Sequence, residues 1–172
     1  MQYKFLVIIL FFYFLTLFQN SFVSHFAIFG IFPNLVLVLF CLFVFFEDSH
    51  KHSNIFLVFT AGFFLDIFSN SFFGVSVFSF IVIYFFIKET IHLLRDIPRE
   101  YSIIYFILIF IFSIILYDFF FGLFSRFLSR SLISPFDGYA LIIEIIYNLP
   151  FAVAGFYLFN PPKFLLRKNL GR

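Results

Sequence analysis

The sequence contains no tryptophan, one cysteine and one methionine among 172 residues, and only 12% of it is Asp, Glu, Lys or Arg. The single cysteine, Cys41, sits in an apolar run and excludes both an intrachain disulfide and a cysteine-based metal cluster. The shortage of charge says more, because soluble domains carry about a quarter charged residues. From Phe5 to Phe46, 42 residues pass without one Asp, Glu, Lys or Arg. Also missing are a glycine-rich phosphate loop, a serine in a nucleophile elbow and any His or Cys spacing of a metal site. His50 and His52 flank Lys51 beside Glu47 and Asp48 as a solvated loop, and His25 and His92 stand alone. No catalytic residue, metal or cofactor is assigned. Basic residues scattered over loops and a tail give nucleic-acid binding no support.

What remains is apolar. Hydrophobic residues make up 63% of the chain, mean hydropathy is +1.11, and phenylalanine alone supplies 37 residues. A membrane-spanning helix needs about 20 predominantly apolar residues. Six of them account for most of the chain, leaving no room for a soluble domain of about 50 residues or more. The expected fold is therefore all-α, a single integral membrane domain over residues 1–172. Phe is as acceptable to lipid as Leu, Ile or Val, so its abundance needs no binding site to explain it.

The expected helices span about residues 3–18, 22–46, 54–68, 72–87, 101–121 and 139–159. No small-residue cleavage site follows the first apolar stretch, so that helix is expected to be retained. Pro33 within the second should kink or break it, since proline lacks a backbone donor and clashes with the preceding turn. Positive charge is enriched on the cytoplasmic side of short loops. With six crossings and the N-terminus inside, Lys4, Lys51, Lys88, Arg95, Arg99, Lys163, Arg167, Lys168 and Arg172 are cytoplasmic, and Arg126 and Arg130 are outside. Both termini are thus expected in the cytoplasm, with the basic tail Lys163–Arg172 against anionic lipid headgroups.

Subtracting loop charges leaves three acids inside helices, Asp66, Asp118 and Glu144. An acid near mid-membrane costs about 2.5–3.5 kcal/mol on insertion scales. At about 1.5 Å per helical residue, all three fall in the outer third of the bilayer and can converge. Gly62 and Asp66 share a helix face, as do Glu144 and Asn148. A glycine one turn from an acid admits a close neighbouring helix. Three readings stay open: a structural polar lock, a proton or cation pathway, and a small-ligand pocket opening to the outer face.

Phe32-Pro33-Asn34-Leu35-Val36-Leu37-Val38-Leu39, followed by a short charged loop, resembles the proline-led helix of the rod shape-determining MreD family. Ala61-Gly62-Phe63-Phe64-Leu65-Asp66-Ile67-Phe68-Ser69, with Gly74 after it, looks like that family's Gly-x-x-x-Asp, Ser and Gly signature. Glu144-Ile145-Ile146-Tyr147-Asn148 before the last apolar stretch also fits. The resemblance implies a non-enzymatic inner-membrane component of the bacterial elongation machinery, acting with MreC, MreB, RodA and a transpeptidase in lateral cell-wall synthesis. It also implies an architecture similar to importer substrate-binding subunits. The alternative reading is such a capturing subunit of a vitamin or metal importer, with Asp66, Asp118 and Glu144 lining its pocket.

Reporter fusions test the topology. A fluorescent protein on either terminus should fold in the cytoplasm, and alkaline phosphatase on either should stay inactive; an active phosphatase at one end overturns six crossings.

Overall fold

The computed structural model describes residues 2–46, 53–68, 72–94, 102–129 and 138–159. Most of the expected loop after Phe46, the Ser69–Ser71 turn, Pro98, Arg130 and the basic tail lie outside the described residues. The described chain is all-helical: α1 (Gln2–Ser21), α2 (Leu35–Phe46), α3 (Ser53–Phe68), α4 (Val75–Leu93), α5 (Ser102–Ser129) and α6 (Gly138–Phe159). Three of them, α4, α5 and α6, are long and apolar enough to cross a membrane. The other three supply shorter apolar stretches, Leu6–Ser21, Leu35–Phe46 and Ile55–Phe68.

Three expectations need correction. No helix runs over residues 22–46 with a kink at Pro33. The chain leaves α1 at Ser21, makes a 3-10 turn over Val23–Phe26, reverses at Ile28–Ile31 and re-enters helix only at Leu35. Pro33 disfavours the helical conformation for the residue before it, so it closes an irregular segment instead of bending a helix. The proline that does lie within a helix is Pro150, in α6. The fourth helix also continues to Leu93, past the expected end at Ile87, and carries Lys88 with it. Its ammonium donates to the Val44 carbonyl at 3.2 Å, near the end of α2, which gives a cation inside a helix an acceptor. Finally, α5 runs on to Ser129 because Leu123, Phe124 and Phe127 continue the apolar helical spacing through the expected loop at Gly122.

The shortest helix occupies the centre. At about 1.5 Å per residue, the 12 residues of α2 measure about 18 Å, far less than the hydrocarbon layer. It packs against each of the other five helices. A helix apolar on every side belongs inside a structure, and Val36, Leu37, Phe40, Cys41, Leu42 and Val44 are accordingly buried. Phe40 stacks on Phe80 of α4 with ring centroids 4.5 Å apart, and Phe45 meets Phe106 of α5 edge-on at 5.1 Å. On the periphery, Leu6, Phe14, Phe59, Phe85, Leu108 and Ile146 are exposed, as lipid-facing residues are. Thr16, Thr60, Ser79 and Ser113 return their hydroxyls to the carbonyl four residues earlier, which removes four polar groups from any chemistry.

α3 and α4 come into close backbone contact at Gly62. A methyl group built there would stand 2.5 Å from the Cα and 2.7 Å from the N of Val77. The obstacle is backbone, so the helices themselves would have to separate. Gly62→Ala should lower stability by about 1–3 kcal/mol, the usual cost of overpacking. Thermal unfolding in detergent measures it, and an unchanged midpoint would refute the close approach.

Candidate functional site

The polar residues gather at the end of the bundle where α1 and α3 finish and α2 and α4 begin. Two helix N-termini are buried there. The first N–H groups of a helix have no acceptor within it, and in hydrocarbon water cannot supply one. Leaving one of them bare costs about 1–3 kcal/mol.

At α4 the acceptor is Asp66. Gly74, the residue preceding α4, has φ 97° and no side chain to cap with. The Asp66 carboxylate reaches across from α3 instead. The Gly74 N–H donates to Oδ2 at 2.7 Å and the Ser76 N–H to Oδ1 at 2.9 Å. The acid is 3% exposed. Its oxygens face the positive end of the α4 dipole, where acceptors are favoured. Gly62 makes this possible: it stands one turn before Asp66 on α3, and its close approach to Val77 brings the start of α4 within reach.

At α2 three residues share the task. Asn34 is a local N-cap, its Oδ1 accepting from the Leu37 N–H at 3.1 Å. Gln19 of α1 accepts from the Val36 N–H at 3.2 Å. Asn148 of α6, fully buried, accepts from the Asn34 N–H at 2.8 Å. Asn148 and Glu144 share a helix face, and the Asn148 amide donates to the Glu144 backbone carbonyl at 2.9 Å, not to its carboxylate.

The layer extends to the remaining helices. The Ser76 hydroxyl lies 3.2 Å from the Tyr117 hydroxyl of α5. One residue on, Asp118 shares a side-chain hydrogen bond with Glu144 of α6. The structure thus places Asp66 with α4, joins Asp118 to Glu144, and sets Asn148 apart from both, at the start of α2. Pro33, also buried, immediately precedes Asn34, the N-cap of α2.

Four contributors were not singled out as site residues from sequence: Gln19, Asn34, Ser76 and Tyr117. Asn34 carries a local signal, an N-capping residue after proline and before an apolar run. The other three act across helices, and their neighbours along the chain give no hint of it.

Chemically the layer consists of acceptors matched to backbone donors and of acid matched to acid. The cavity of about 400 Å³ among α1, α3 and α4 is lined by Ile9, Phe56, Phe59, Phe63 and other mostly apolar residues. None of the three acids lines it. Substitution separates capping from other roles. Asn148→Ala strands the Asn34 N–H and should cost about 1–3 kcal/mol. Ser76→Ala removes only the hydroxyl contact to Tyr117 and should cost about 0.6 kcal/mol. Unfolding midpoints give the order, and amide exchange at Asn34 and Val36 should accelerate in Asn148→Ala alone; equal effects of the two variants would refute the capping role.

Among curated proteins and among solved structures nothing matches the chain. One family model does, that of the rod shape-determining protein MreD, and the match runs over residues 1–161. It takes in all six helices, the Gly62–Asp66–Gly74 arrangement that closes α4 and the residues that cap α2. A match over so much of the sequence, on a helical bundle of this apolar character, places the chain in the MreD family of rod shape-determining membrane proteins.

Proposed function

We propose that the chain is a non-enzymatic component of the bacterial cell-elongation machinery that binds MreC in the inner membrane. Through MreC it meets MreB, RodA and a transpeptidase, and so supports lateral peptidoglycan synthesis and cell shape. The family match over residues 1–161 is the observation that carries this reading. The polar layer agrees with a scaffold. Catalysis needs a nucleophile or a base held toward an open site. Here Asp66 is engaged by the backbone of α4, and Asp118 and Glu144 by each other. These contacts fix helix positions, and fixed helix faces are what a partner helix recognises when no hydrophobic effect drives association within lipid. The nine-to-two sorting of cations supports cytoplasmic termini, which puts the capped ends of α2 and α4 toward the outer surface.

Asp66→Ala tests the reading in cells. It strands the Gly74 and Ser76 N–H groups, each costing about 1–3 kcal/mol. The variant should accumulate to a lower level or capture less MreC on affinity purification, and the cells should lose rod shape. Wild-type abundance, MreC capture and shape together would overturn the proposal.

A further inference from the structure

The connection between α1 and α2 carries Phe22, Phe26, Ile28 and Phe29 outward and Val23 inward. Ile28 and Ile31 exchange two backbone hydrogen bonds, both 3.0 Å, around a two-residue turn of Phe29 and Gly30. Both have positive φ, 53° and 80°. Such a turn favours Asn-Gly or Gly-Gly. A phenylalanine in the left-handed region is uncommon and strained. This one is also 84% exposed.

Phe29 is not an isolated apolar residue. Phe18 at the end of α1 stacks on Phe22 at 5.2 Å, and Phe22 meets Phe26 at 5.4 Å. Phe26 is 64% exposed and Phe22 55%. Together with Phe14 they carry the lipid-facing surface of α1 up to the turn without a break. The connection is anchored from behind, where the Tyr147 hydroxyl of α6 donates to the Phe26 carbonyl at 3.2 Å. No Asp, Glu, Lys or Arg occurs anywhere from Phe5 to Phe46, and the exposed polar side chains here, Ser21 and His25, suit a headgroup boundary as well as water.

The backbone sets the depth. Among the described residues no acceptor meets the N–H of Phe29 or of Gly30. Bare donors are not tolerated in the hydrocarbon core. Apolar side chains do not favour the aqueous phase. The boundary between headgroups and acyl chains satisfies both, offering ester and phosphate oxygens to the backbone and chain methylenes to the rings. We infer that residues 22–31 form an aromatic wedge held in one leaflet at this boundary, with Phe29 at its tip and phospholipid as its occupant. The wedge rests on the chain's being a membrane protein and is independent of the proposed partner.

The absence of tryptophan makes the test direct, because Phe29→Trp creates a single tryptophan that can be excited apart from the nine tyrosines. The full chain is reconstituted in nanodiscs of phospholipid brominated either near the headgroup or near the chain ends, with iodide as the aqueous quencher. Emission should be blue-shifted, and bromine near the headgroup should quench it at least about twofold more than bromine at the chain ends. Iodide should quench only weakly. Phe26→Trp provides a second reporter should Phe29→Trp fail to fold. Strong iodide quenching without bromine quenching would place the turn in water and overturn the wedge. Protection from both quenchers would bury it against protein, in a second copy or in the bundle itself, and would overturn it equally.

Discussion

A helix of 12 residues at the centre of an apolar bundle begins where water cannot reach, and much of the remaining architecture follows from how that end is satisfied. Its N-terminus takes acceptors from its own Asn34, from Gln19 of α1 and from Asn148 of α6. Near its C-terminus the Val44 carbonyl takes a donor from Lys88 of α4. Three surrounding helices are thereby tied to the central one at fixed heights. Van der Waals packing of Phe, Ile and Leu gives little register of its own in lipid, since neighbouring lipid tails are as apolar as the side chains. Directional bonds at the ends of α2 supply that register.

The same physics explains why Gly62, Asp66 and Gly74 act together. A buried carboxylate is costly unless its charge is met by well-placed donors. Asp66 meets the two leading N–H groups of α4 and the positive end of its dipole. Gly62 permits the approach, and Gly74 adopts a backbone conformation that leaves the N-terminus open to an acceptor from another helix. Each residue is ordinary alone; their combination makes one joint between α3 and α4. From there Ser76 and Tyr117 carry the polar layer to α5, and the Asp118–Glu144 pair carries it to α6.

Much of this was legible in the sequence. The three acids, left over once loop charges were subtracted, marked helix positions in need of partners, and in the fold Asp66 meets the start of α4 while Asp118 and Glu144 meet each other. The second helix was misread because hydropathy reports only that residues 22–46 avoid water, and an irregular segment of phenylalanine and isoleucine scores like a helix. Pro33 marked the irregularity but not its form. The ends of α4 and α5 were placed too early for a different reason: Lys88 and Gly122 looked like loop signals, yet Lys88 finds a carbonyl on α2 and apolar spacing resumes after Gly122. Gln19 gave no signal in the sequence because its acceptor role requires the start of α2 beside it.

The sequence by itself determined the solvent, the helical class, the approximate helix number and the few polar groups that need partners, because each follows from composition and from spacing along the chain. Only the tertiary structure decided that the shortest helix lies at the centre, that Asp66 caps a helix other than its own, and that Asn148 serves the backbone of α2 and not a neighbouring carboxylate. Those outcomes depend on which helix ends meet, and the geometry of that meeting arises from packing between residues as far apart as 34 and 148. An amide or carboxylate in an apolar run announces that it must be satisfied; which group satisfies it is settled by the neighbours that folding brings within about 3 Å.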